Sequence, residues 1–130
     1  MRKLVPLIAA SLVFGAAAAQ ARPRDGEADL ARALRGRVAG EPVNCIDLHR
    51  IRSSRVIRGT AILYDAGSVI YVSRPRNGAE ELNGFDTLVT RTPSTQLCSV
   101  DVVYTVDLRS DTFTGSVFLD EFVPYRRVRD

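Results

Sequence analysis

The sequence predicts a mainly β domain: a small antiparallel sandwich or partly open barrel, with one N-terminal amphipathic helix behind a signal peptide. Three observations carry that prediction. Short apolar runs recur between turn residues, which is how half-buried antiparallel strands read. One segment, 99–107, alternates along its length with period two. A single stretch shows helical spacing, so a βαβ parallel sheet is not expected.

The chain begins Arg2-Lys3, continues with an uncharged and mostly apolar run from Leu4 to Ala19, and exits through Ala17-Ala18-Ala19-Gln20-Ala21. Positive start, greasy run and small-residue exit in that order predict a cleaved secretory leader over 1–21, with cleavage after Ala19 or, preferably, Ala21. The run is too short to span a bilayer and contains Pro6, so no membrane span is expected after cleavage. The expected location is periplasmic or secreted. Removing 1–21 from 130 residues leaves 109, which suits one domain. Loss of Arg2 and Lys3 takes 18 cations to 16 against 15 acids, a net charge of +1. So weak a field predicts no nucleic-acid partner. Lys3 is the one lysine, which removes Schiff-base chemistry from the processed chain.

The predicted organisation is a linker and short helix over 22–41, then a β-rich domain over 42–130. In the helix, Leu30, Leu34 and Val38 recur four apart, Asp25 can cap the start, and Gly40 can end it, giving a helix over about 26–38 that lids the core. Asn44-Cys45-Ile46-Asp47 reads as a cap and turn, and the spacing of Cys45, Leu48 and Ile51 predicts a helical turn. Ala61–Tyr64 and Val69–Val72 flank Asp65-Ala66-Gly67-Ser68 and predict a hairpin. Leu88–Thr90 is a further strand, stopped by Pro93. Ser99–Asp107 places Val100, Val102, Tyr104 and Val106 on one face and Asp101, Val103, Thr105 and Asp107 on the other. Arg109-Ser110-Asp111 turns the chain, and Thr114–Val123 returns as a last strand before Pro124.

In an oxidising compartment the two cysteines, Cys45 and Cys98, are expected to pair. That bond would bring Asp47 and His49 near Ser99 and Asp101. His49 is the one histidine, so a small envelope hydrolase, the alternative function, would have to use it with Asp47 or Asp101. No nucleophile-elbow glycines surround Ser99, no phosphate-cradling loop is present, and the acids lack calcium-loop spacing. No catalytic residue, metal site or cofactor is therefore predicted, and Asp47 is expected to cap a turn beside a solvated His49. Arg74 and Arg76 at one strand end, with Arg126, Arg127 and Arg129 in the tail, form a candidate anion-binding set, because guanidinium forks suit carboxylates and phosphates. The leading expectation is a non-catalytic binding or structural module whose partner is an envelope protein or an anionic envelope component.

Gly36-Arg37-Val38-Ala39-Gly40, Asn44-Cys45-Ile46-Asp47, Ile62-Leu63-Tyr64, Tyr71-Val72-Ser73-Arg74-Pro75, Gln96 to Val103 and Phe122-Val123-Pro124-Tyr125 carry a resemblance. From Gly36 onward the chain resembles a family of small exported alphaproteobacterial proteins of unknown function with two paired cysteines. The resemblance implies one exported domain and supports the Cys45–Cys98 pairing, and it brings no catalytic residues. An acidic residue stands in that pattern at the position of Arg58, and His49 lies outside it, which speaks against chemistry at His49.

Overall fold

A computed structural model describes residues 10–11 and 25–129, so the expected leader and the linker as far as residue 24 lie outside the described residues. The architecture is mainly β, as the patterning predicts. A helix α1 spans Gly26–Ala33, and ten strands follow: β1 Arg37–Ala39, β2 Cys45–Asp47, β3 Ser53–Ile57, β4 Ala61–Asp65, β5 Val69–Ser73, β6 Thr87–Thr90, β7 Gln96–Cys98, β8 Val102–Asp107, β9 Thr112–Phe118 and β10 Phe122–Arg127. They form three sheets, ordered β1-β10-β5-β4-β3, β2-β7 and β6-β8-β9, with every pairing antiparallel. The barrel does not close.

The helix starts as predicted, with the Asp25 carboxylate accepting from the Glu27 N–H at 3.0 Å. It stops at Ala33, short of Val38. Gly36 takes a left-handed conformation at φ 79°, its carbonyl accepts from the Val128 N–H, and Arg37 then pairs with Arg127. The open edge of β10 thus claims the backbone that another helical turn would have used. Val38 consequently leaves the apolar stripe and is 58% exposed.

Four further boundaries differ from expectation. The strand expected over Ser99–Asp107 begins only at Val102, because the Asp101 N–H closes a turn onto the Cys98 carbonyl. Cys45–Asp47 is a strand paired with Gln96–Cys98, and the helical turn begins after it, at Leu48–Arg50. The predicted last strand 114–123 is two strands, β9 and β10, separated by Leu119-Asp120-Glu121, and Pro124 lies inside the second. Proline is tolerated there because its missing N–H faces the side where β1 has ended. Its carbonyl still accepts from Gly40 at 2.7 Å, and the chain rejoins at the Val43–Phe122 bridge. Ser53–Ile57, which the sequence reading leaves unassigned, forms the edge strand β3.

The five-stranded sheet is covered on both faces. On one, Leu30 of α1 and its C-cap residue Leu34 pack with Ile57, Ala61, Leu63 and Val72, which makes α1 the expected lid. On the other, Ile62, Tyr64 and Phe122 pack against Ile46 and Leu97 of the β2–β7 ribbon and Val103 and Val117 of the three-stranded sheet. Leu97, Val103, Val117 and Phe122 are completely buried. Each such side chain contributes about 1.5–3 kcal/mol of transfer free energy. That shared core fixes the three-stranded sheet against the rest and decides which of its faces looks outward.

Candidate functional site

Cys45 and Cys98 are bonded, as expected, and sit directly opposite each other in the β2–β7 ribbon. The bond does not gather the groups that its proximity promised. In the antiparallel register Ile46 faces Leu97 and Asp47 faces Gln96, so the chain toward His49 leaves by one end of the ribbon. Ser99 and Asp101 leave by the other. Each polar group then serves its own turn. The Asp47 carboxylate accepts from the His49 N–H at 2.9 Å and lies 3.9 Å from Arg50 Nε, which is the cap expected of it, and His49 is exposed. The Asp101 carboxylate accepts from the Cys98 N–H at 2.7 Å. The Ser99 hydroxyl donates to Asn44 Oδ1.

The arginines divide in the same way. Arg74 follows Ser73, which pairs with Phe122, whereas Arg126 pairs with Val69, so Arg74 and Arg126 stand at opposite ends of β10. Arg74 is held by helix α1 through a two-pronged pair with Glu27, at 2.5 and 3.0 Å. The hydrogen bond from Arg74 lowers the Glu27 pKa, and the same bond raises that of Arg74. Arg76 is exposed, and its backbone N–H donates to the Phe118 carbonyl. Arg126 and Arg127 are exposed and make no ion pair among the described residues. The register sets Arg127 opposite Arg37, whose guanidinium donates to the Tyr125 and Ser68 carbonyls. Arg37 therefore joins the tail arginines at that corner, a neighbour the sequence reading did not supply.

A groove lies elsewhere, on the outward face of the three-stranded sheet. In β8 the deeply buried residues are Val103 and Thr105, which turn the opposite set, Val102, Tyr104 and Val106, outward. Register pairs put Val89 beside Tyr104, Phe118 beside Val102, and Phe113 beside Val106 on that same face. A bulge between Thr105 and Val106 brings Phe113 toward Tyr104, with ring centroids 5.4 Å apart. The result is a groove of about 550 Å³ lined by Val89, Val100, Val102, Tyr104, Val106 and Phe113, with Arg91, Asp101 and Asp111 at its ends. Val100 is 68% exposed and Phe113 57% exposed. None of Val89, Val102, Tyr104, Val106 or Phe113 belongs to either buried cluster.

Comparison with protein-family models, with curated proteins and with solved structures returns no match.

The volume of the groove lies within the range of ligand sites, and apolar side chains share its walls with the polar groups of Arg91, Asp101, Tyr104 and Asp111. The hydroxyl within it belongs to Tyr104, and no histidine or cysteine lines it. Tyr64, by contrast, is walled into the opposite, inner side, edge-on to Phe122, where burial raises its pKa. Among the described residues no group of three or more His, Cys, Asp or Glu is placed to hold a metal. No described helix is long and apolar enough to cross a membrane.

Proposed function

We propose that this chain is an exported, non-catalytic binding or structural module of the cell envelope, periplasmic or secreted, that works through the outward groove of the β6-β8-β9 sheet. One observation carries the reading: this antiparallel sheet carries a cluster of apolar side chains on each face, the outer one interrupted only by Thr87 and Ser116. Its inner face supplies Val103 and Val117 to the core, and its outer face presents Val89, Val102, Tyr104, Val106 and Phe113. An antiparallel sheet with one solvated face normally places polar residues there, so a second apolar face marks a contact surface. Export is supported by the leader-like sequence at 1–21 and by the resemblance to small exported alphaproteobacterial proteins, and the closed disulfide is compatible with an oxidising compartment.

Co-sedimentation of the exported protein with the envelope fraction of its host tests the proposal. Tyr104→Arg places a charge in the groove floor without touching the inner core. We expect it to reduce envelope association by about tenfold or more, with an unchanged thermal midpoint. Association equal to that of the unaltered protein would remove the groove from the function.

The corner formed by Arg37, Arg126 and Arg127 favours an anionic envelope component as the partner. Two exposed arginines without carboxylate partners among the described residues end β10, Arg127 on the face it shares with Arg37 and Arg126 on the opposite face. Association with anionic vesicles that weakens with salt and disappears on truncation after Tyr125 supports this form of the proposal, and no binding at low salt ends it.

A further inference from the structure

We infer that the groove is occupied by a second copy of this chain, packed face to face about a two-fold axis; this rests on the groove being the contact surface proposed above. The argument comes from how charge is distributed along the sheet. Thr90 pairs with Val103, so Arg91 stands at the Val102 end of β8. Thr112 pairs with Asp107, so Asp111 stands at the opposite end. Between them lies the apolar centre of Val89 and Tyr104. Val100 rises at the Arg91 end and Phe113 at the Asp111 end.

A two-fold axis lying in the interface, parallel to the sheet, perpendicular to the line from Arg91 to Asp111 and passing over the apolar centre near Tyr104, reverses this order in the second copy. Each Arg91 then lies over Asp111 of the other copy, and each Phe113 lies toward the other Val100. The patch is self-complementary, which is what an isologous contact requires. The direction of the axis is essential, because an axis running along the line from Arg91 to Asp111 would set like charge on like charge. Asp101 shares the Arg91 end and keeps its charge, but the Cys98 N–H fixes its carboxylate at 2.7 Å and it makes no ion pair with Arg91 among the described residues. Arg91 and Asp111 make no ion pair among the described residues, so both remain available across the interface. The apolar centre excludes water between the copies, and the two end pairs fix their orientation.

Sedimentation equilibrium of the exported, disulfide-closed protein over a wide concentration range tests this. The unaltered chain is expected to form a reversible dimer. Arg91→Asp and Asp111→Arg, both at exposed positions, should each weaken it by about tenfold or more, and the double reversal should return affinity to within about threefold of the original. A chain that stays monomeric at every concentration overturns the inference. So does a dimer that neither single reversal weakens, or a double variant as weak as the singles. An apolar dye separates this failure from failure of the groove itself. Dye bound by a monomer and lost in Tyr104→Arg leaves the groove standing for another occupant, while a monomer that binds no dye removes both readings.

Discussion

Replacing both cysteines, as Cys45→Ala with Cys98→Ala, tests the physical role of the β2–β7 ribbon. The bonded residues are 53 apart in sequence, so the bond closes a loop of about 54 residues. Chain-entropy reasoning assigns such a closure about 14 cal/mol/K, or about 4 kcal/mol at 25 °C, acting on the unfolded chain. Each strand of the ribbon has three residues, and the pair contributes Ile46 and Leu97 to the shared core. Two strands that short do not persist on their own, so the bond and those two side chains must hold them. A loss of about 4 kcal/mol is most of the stability of many small domains. With a urea slope of about 1–3 kcal/mol per M, the unfolding midpoint should fall by about 1.3–4 M. The assay is urea unfolding followed by far-ultraviolet circular dichroism, with reduced unaltered protein as a parallel sample. A loss below about 1 kcal/mol in both samples refutes the reasoning, because the ribbon would then be held by packing without help from loop closure.

Two other perturbations probe the frame around the groove. Gly78→Ala forces a side chain into φ 82° and drives its Cβ into the Ser116 carbonyl of β9, so it should cost at least about 2 kcal/mol by urea midpoint; a cost under about 0.5 kcal/mol would show that β9 yields freely there. Acid should also weaken the fold through Glu27, whose pKa the hydrogen bond from Arg74 lowers, and through Asp86, lowered first by Asn83 and then by Thr114. A carboxylate with a depressed folded pKa stabilises the fold above its unfolded value, here 4.5 for Glu27 and 3.8 for Asp86, and that contribution is lost as pH falls through the lower folded values. The thermal midpoint should therefore drop more steeply below about pH 4.5 in the unaltered protein than in Glu27→Gln/Asp86→Asn, and parallel curves would contradict the assignment.

Local signals were strong where local chemistry decides the structure. The β4–β5 hairpin reads directly, because two apolar runs flank a turn in which Gly67 takes φ 88° and Asp65 accepts from the Gly67 N–H at 2.7 Å. Asp25 and Asp47 cap the turns that their positions announce. The misplaced ends of α1 and β10 share one cause, which is that a distant strand overrode a local preference. Helix α1 ends early because β10 offers hydrogen bonds to 36–39, and Pro124 continues a strand because its neighbour has already peeled away. Edge strand β3 was illegible for a different reason. Ser53, Ser54 and Arg55 are exposed and only Ile57 is buried, so no apolar alternation exists to be read.

The site shows why a cross-link is weaker evidence than it looks. A disulfide fixes two Cα positions, yet strand polarity decides where the flanking residues go. In an antiparallel ribbon, residues after one cysteine lie beside residues before the other, so His49 and Asp101 part company although Cys45 and Cys98 touch. The groove, in contrast, left a trace in the sequence that alternation alone could not resolve. Valines occupy both parities of β8, at 102, 103 and 106, and an exposed aromatic follows at Phe113. Period-two reasoning asks which face is apolar, and here both are. Read for its surplus, the strand carries one more apolar face than the core can absorb. That surplus is the physical ground for the contact surface proposed on this side of the molecule.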